Sequence, residues 1–180
     1  RELDPELDIA MTTNGVLLQR HAEMLLKSGL SRVTVSLDAV EEELFQTITD
    51  SKNTPSQIFE GIDLAQQIGL TVKVNCVVKK GVNESQIVPL AKACMERGIP
   101  VRFIEFMDVG TTNNWNLDAV ISGKEMRNIL RNHLGPLEPK ASEHPSDVAR
   151  LWRFVNGSTV GFIESVTKPF CGNCSRARLS

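Results

Sequence analysis

Positive charge is not in surplus in this 180-residue sequence: 20 Lys and Arg stand against 22 Asp and Glu, for a formal net charge of -2. That balance removes the electrostatic footprint of a nonspecific nucleic-acid binder, and no basic block points to a membrane surface. A charged small molecule stays in play. No apolar run approaches the ~18 residues of a membrane span. The opening stretch, Arg1-Glu2-Leu3-Asp4-Pro5, is not a signal peptide. A soluble, cytoplasmic protein is therefore expected. Cysteine is scarce, with four in all. Without a secretory signal they argue against a disulfide framework and for metal or redox chemistry. Solenoid repeats and low-complexity stretches are absent too. The chain starts without a methionine and stops just after a cysteine and arginine cluster, so it reads as an excised fragment.

What is present is a regular alternation of apolar strands with amphipathic helical segments, the rhythm of a parallel α/β sheet. Strands are expected at 7–13, 32–38, 71–78 and 101–107. Helices are expected at 17–27, 41–49, 55–67 and from a cap at Asn83 to Arg97, with Pro55 opening one and Gly69 closing it. Residues 109–119, rich in Gly, Thr and Asn, read as a long loop over the carboxyl ends of the strands, where active sites are commonly covered. A further helix is expected at 122–133, then a linker at 135–147. Strands at 149–154 and 159–166 form a β-hairpin around Asn156-Gly157, packed as an appendage. The division is 1–134 for the α/β part and 135–180 for the hairpin and tail.

Side chains alternate across a strand, so parity assigns faces. Val33, Val35 and Leu37 share one face, and Thr34, Ser36 and Asp38 the other. Val72, Val74, Cys76 and Val78 oppose Lys73 and Asn75, while Ile9 and Met11 oppose Ala10, Thr12 and Asn14. A sheet buried on both sides is almost continuously apolar, so the repeated polar face marks a functional surface. Lys73, inside a strand that otherwise reads as core, is a candidate phosphate or purine contact. In the last strand of the series Phe103, Glu105 and Met107 share one parity and Arg102, Ile104 and Phe106 the other. Glu105 and Met107 are expected on the polar side, and Arg102 on the helix side.

Cys76 and Cys94 fall in a strand and a helix and read as core residues. Cys171-Gly172-Asn173-Cys174 differs, because Gly172 lets the backbone turn tightly and bring two sulfurs together. A redox pair needs its first thiol at a helix amino terminus, and the six residues after Cys174 do not suggest one. Structural zinc needs four ligands, whereas the sequence has no second pair, and His133 and His144 are irregularly placed. An iron–sulfur cluster, needing three or four thiolates, is the leading reading, with the remaining ligand outside these residues. Arg176 and Arg178 point the same way on an extended tail, and paired guanidinium groups suit bidentate phosphate recognition.

Met11-Thr12-Thr13-Asn14-Gly15, Val35-Ser36-Leu37-Asp38, Lys73-Val74-Asn75, Arg102-Phe103-Ile104-Glu105-Phe106-Met107 and the run from Phe170 through Cys171 and Cys174 to Arg176, Ala177, Arg178 and Leu179 closely resemble the MoaA family. The matches run in order along nearly the whole chain. That family comprises the radical S-adenosylmethionine GTP 3',8-cyclases of molybdenum cofactor biosynthesis. The resemblance implies a partial (β/α) TIM-type barrel of the radical SAM class, followed by a small carboxyl-terminal hairpin and cluster-binding segment. It implies that Ser36 and Met107 contact S-adenosylmethionine. Thr12, Lys73, Arg176, Ala177 and Arg178 would contact GTP, and Cys171 and Cys174 would be two of three ligands of a second 4Fe-4S cluster. The implied product is (8S)-3',8-cyclo-7,8-dihydroguanosine 5'-triphosphate.

Two departures accompany the match. The Cys-x3-Cys-x2-Cys motif that holds the family's first 4Fe-4S cluster does not occur here, and the third ligand of the second cluster falls past Ser180. The chain is thus expected to be an internal, inactive fragment of such an enzyme. The alternative is a stand-alone nucleotide- or metal-binding module. Expected partners are GTP and S-adenosylmethionine, with a homodimer left open and neither nucleic acid nor membrane. A eukaryotic parent would be mitochondrial.

Overall fold

The computed structural model describes residues 7–107, 117–141 and 147–168. Its elements are β1 (Ile9–Thr13), α1 (Leu18–Lys27), β2 (Leu30–Ser36), α2 (Glu42–Thr49), α3 (Pro55–Gln67), β3 (Thr71–Val78), α4 (Ile87–Glu96), β4 (Val101–Glu105), α5 (Gly123–Leu134), β5 (Leu137–Lys140), β6 (Arg150–Phe154) and β7 (Thr159–Ile163). The alternation of strand and helix read from the sequence is present, with strand ends shifted by up to three residues: β2 starts and ends two residues earlier than expected, and β7 stops at Ile163 rather than 166.

All seven strands join one sheet in the order β1-β2-β3-β4-β7-β6-β5. Neighbours from β1 to β4 are parallel, and so is the β4–β7 pair, whereas β7–β6 and β6–β5 are antiparallel. The fold is thus mixed α/β, with antiparallel strands extending a parallel sheet, a common arrangement. Strands β6 and β7 are not an appendage. Backbone hydrogen bonds of β7 with β4 make them a continuation of the sheet. Part of the expected linker is likewise the edge strand β5, where Pro139 is tolerated because an edge residue need not donate to a further strand.

The core lies on one face of the sheet. Val33, Val35, Val72, Val74, Val78 and Phe103 are each 4% exposed or less. The helices α3, α4 and α5 cover that face with Ile58, Ile62, Leu90, Met126 and Leu130, all fully buried. Two helices start as the sequence directs. Thr54 and Gln57 form a capping box on α3, with Pro55 at its first turn, and Ser122 and Glu125 form one on α5.

Asn83 does not cap a helix. It is 2% exposed, its Oδ1 accepts from the Lys79 N–H at 2.8 Å, and its Nδ2 donates to the carbonyls of Asp38 and Val77, both at 2.9 Å. The reason is that the chain after β3 turns inward, so the side chain ties the carboxyl ends of β2 and β3 together. Gly15 closes β1 at φ +80°, and a Cβ there would stand 2.9 Å from Ile58 and Val35. Only glycine lets this strand end sit on α3.

Candidate functional site

Register turns parity into geometry. Thr12 pairs with Thr34, and Thr34 with Lys73, giving one rung across β1, β2 and β3. One rung further along, Ser36 pairs with Asn75, Asn75 with Arg102, and Arg102 with Gly161. Strands lie about 5 Å apart, and alternate residues on one strand about 7 Å apart. Thr12, Ser36, Lys73, Asn75 and Arg102 therefore share one compact polar patch on the face away from α3, α4 and α5.

The expected phase of β4 is reversed. Arg102, not Glu105, is on the polar face. Glu105 pairs with Val78 and is 1% exposed on the helix side. A charged residue would be expected outward, but Glu105 finds enough hydrogen-bond donors beneath the sheet to be buried there.

Lys73, Arg102 and Lys140, together with Leu151, Thr159 and Gly161, line a cavity of about 200 Å³. Gly161 is what admits the arginine, since a Cβ at that position would stand 3.1 Å from Arg102 Cγ. Three cations around one concavity suit a polyanion, and guanidinium offers the bidentate geometry that phosphate oxygens accept. In the neighbouring rung Asn75 Oδ1 is a buried acceptor without a hydrogen bond among the described residues. Such an atom is costly unless a ligand donor reaches it.

Beyond the strand ends, Met107 follows β4 by two residues and is 49% exposed. Asp38, two residues past β2, accepts from the Val77 N–H at 2.8 Å. Burial holds its carboxyl above the usual range, and the Val77 bond only partly offsets this. Lys79 sits over the Phe106 ring at 4.7 Å. Carboxyl ends of parallel strands are where α/β sheets bind ligands.

Of the residues singled out from sequence, Thr12, Ser36 and Lys73 share one face by register, whereas Met107, expected there with Glu105, lies two residues past the end of β4 and is half-exposed. Cys171, Cys174, Arg176, Ala177 and Arg178 lie outside the described residues, as do 109–116 of the expected active-site loop. Cys76 and Cys94 are fully buried, and burial pushes their thiols up, Cys94 to about 12. Both are thus protonated and inert, in keeping with the sequence reading. His133 Nδ1 lies 2.8 Å from the Ile129 carbonyl of its own helix. Among the described residues no group of three or more His, Cys, Asp or Glu could hold a metal. None of the helices among them is long and apolar enough to cross a membrane.

Arg102, Lys140 and Gly161 were not assigned to the site from sequence. A glycine inside the strand 159–163 was the available signal, because such a residue marks a close approach.

Residues 1–94 match the Radical SAM superfamily, and residues 99–180 match Molybdenum Cofactor Synthesis C. A protein of Staphylococcus aureus (strain JH9) named GTP 3',8-cyclase is 43% identical over 182 residues, covering 99% of this chain and 53% of that one. One of the same name in Staphylococcus epidermidis is 45% identical over 174 residues, covering 96% and 51%. The chain spans about half the length of the curated relatives it matches. The solved structure of TYW1 with a lysine-pyruvate adduct bound overlaps 85% of this chain and 46% of that one at 10% identity, with a TM-score of 0.47. That likeness is too loose to say more.

Proposed function

The chain belongs to the radical SAM superfamily and, within it, to the MoaA family, and on that premise we propose that it forms the substrate-holding part of a GTP 3',8-cyclase acting in molybdenum cofactor biosynthesis. The observation that carries the reading is the pair of aligned polar rungs, Thr12–Thr34–Lys73 and Ser36–Asn75–Arg102, beside a cavity ringed by Lys73, Arg102 and Lys140. A triphosphate needs such a cluster of fixed cations, and a nucleoside needs hydroxyl and amide partners next to it.

In this reading the sheet is a portion of a (β/α) barrel with the polar face inward. Ser36 and Met107 contact S-adenosylmethionine, and the orphaned Asn75 Oδ1 accepts from a ligand donor between them and Arg102. Thr12 and Lys73 hold GTP, joined by Arg176, the Ala177 backbone and Arg178. Cys171 and Cys174 are two ligands of a 4Fe-4S cluster, a soft donor set that suits iron–sulfur chemistry. When bound, S-adenosylmethionine and its reducing cluster supply the radical that removes hydrogen from C3' of GTP before C3' joins C8. What this chain contributes is position: the cations fix the triphosphate, the threonine and serine hydroxyls and Asn75 orient the polar groups, and the closed face keeps water away. The 180 residues alone are proposed to be inactive, because no Cys-x3-Cys-x2-Cys motif occurs in them. Neither a membrane nor a nucleic acid enters the reading.

The test is GTP binding and turnover by the full-length protein after anaerobic iron–sulfur reconstitution, with Lys73→Ala and Arg102→Ala alongside. Binding weakened by about 1.5–3 kcal/mol in each variant, while the fold persists, is expected. Equal affinity in wild type and variants would sink the proposal. Tight GTP binding without any conversion would favour a binding module instead.

A further inference from the structure

The rung that carries Ser36, Asn75 and Arg102 does not end at β4. Arg102 pairs with Gly161, Gly161 with Leu151, and Leu151 with Lys140. One row of residues therefore crosses six strands, from β2 to the edge strand β5, and its side chains share the polar face. Parity agrees at the far end. Leu137 of β5 is buried in the core, and Lys140, three residues on, takes the opposite face.

The row is ordered. Ser36 and Asn75 offer a hydroxyl and an amide, Arg102 a guanidinium, Gly161 no side chain, and Lys140 an ammonium. A Cβ at Gly161 would stand 3.1 Å from Arg102 Cγ and 3.3 Å from Leu151 Cδ2, so the floor between arginine and lysine is open only because that residue is glycine. Strands β4 and β5 are three places apart in the sheet, about 14 Å at ordinary spacing, yet Lys140 lines the same cavity as Lys73 and Arg102. The twist of the sheet and the reach of a lysine close that gap. Leu151, directly opposite, offers apolar surface to the methylene stem. Glu138, the acidic residue two places before Lys140, stands opposite Arg153, which offsets its charge.

Size then gives direction. At about 200 Å³ the cavity is smaller than the ~300–1,000 Å³ of a pocket that encloses a whole small molecule. It takes phosphates and leaves a nucleoside outside, on the hydroxyl and amide side of the row. The phosphate chain runs from Arg102 toward β5, and its last member meets Lys140.

We propose that Lys140 selects a nucleoside triphosphate over a diphosphate by pairing its ammonium with the terminal phosphate. This rests on the GTP 3',8-cyclase reading and adds to it a means of counting phosphates. Lys73 and Arg102, nearer the nucleoside, hold the phosphates that the two ligands have in common. A lysine suits the outer place, because a point charge on a flexible stem follows a terminal group without the fixed geometry of guanidinium.

The experiment titrates full-length, anaerobically reconstituted protein with GTP, GDP and GMP by calorimetry. Lys140→Met and Lys140→Gln each remove the charge and keep much of the stem, so a folding failure of one leaves the test intact. Lys140→Arg keeps a cation, and Arg102→Ala is the comparison. Wild type is expected to hold GTP about 10-fold or more tighter than GDP, from one charge-assisted contact. Either neutral variant should weaken GTP about 10-fold and leave GDP within about 2-fold, which abolishes the selection. Lys140→Arg should retain most of it, and Arg102→Ala should weaken GTP and GDP alike. A structural role for Lys140 would weaken both ligands together, and that result overturns the proposal. Undiminished preference for GTP in a neutral variant overturns it too. Equal affinity of wild type for GTP and GDP overturns it and leaves the GTP reading standing. Wild type that binds none of the three overturns that reading, and this inference with it.

Discussion

The two faces of the central sheet are built from alternating residues of the same strands, yet they obey different rules. On the helix-covered face Val33, Val35, Val74, Val78 and Phe103 are 1% exposed or less, and the rings of Phe103 and Phe162 lie 6.2 Å apart. On the other face Thr34, Lys73, Asn75 and Arg102 are half-buried and Thr12 and Ser36 exposed. The first face spends its side chains on packing. The second keeps donors and cations in fixed places at little gain in stability, and this is what a binding surface requires. Energy and function are therefore separable by parity, and substitutions on the two faces should fail in different ways.

The largest effect is expected on the dry face. Phe103→Ala should cost about 3–5 kcal/mol through lost burial and a residual cavity, read as a lowered midpoint in urea unfolding. Next comes Glu164→Ala, which strips a buried guanidinium of its partner and should cost roughly 3 kcal/mol. On the wet face Lys73→Ala or Arg102→Ala should leave stability within about 0.5 kcal/mol. Calorimetry should show each weakening GTP by about 1.5–3 kcal/mol through a lost charged hydrogen bond. A wet-face variant that unfolds the protein would erase the contrast. Ser122→Ala, which breaks the capping box of α5, should cost about 1 kcal/mol.

The smallest effect is in the pH dependence, where the two strand ends have opposite signs. Asp38 is raised above 3.8 mainly by burial. The folded state keeps its proton longer than the unfolded one, so stability falls as pH rises from 3.8 through the folded value. Burial would raise Glu105 too, but the bonds from Thr167, Gly123 and Val166 outweigh it and bring the carboxyl below 4.5. That contribution is present above 4.5 and is lost as pH falls through the folded value. Unfolding midpoints from about pH 3 to about pH 7 should therefore show Asp38→Asn flattening the fall and Glu105→Gln removing part of the acid-side loss.

The order of strands and helices and the polar face of β1 to β3 were legible in the sequence, because clean alternation fixes both period and phase. In β4 the period was legible and the phase was not. Arg102 and Glu105 lie on opposite parities with apolar neighbours, and the donors that let Glu105 face inward come from Gly123, Val166 and Thr167, far along the chain. Strand β5 escaped notice because its proline and charges mimic a linker, and only pairing with β6 makes it a strand. Asn83 looked like a cap, since local sequence does not show that two strand ends await its amide. At the site, Thr12, Ser36 and Lys73 were readable by parity, whereas Lys140 and Gly161 reach it only through the antiparallel half of the sheet.

That antiparallel half also sets a timetable. The neighbour of β4 is not the next strand made but β7, whose last residue follows Glu105 by 58 positions (163 minus 105). At ~5–20 residues per second a ribosome needs about 3–12 s to cover that interval. During it the outer edge of β4 has backbone groups without a partner, while β5 and β6 have already emerged and can pair only with each other. The centre of the finished sheet is therefore the last seam to close, and the nascent chain is most exposed to mispairing at the strand that later sits closest to the site.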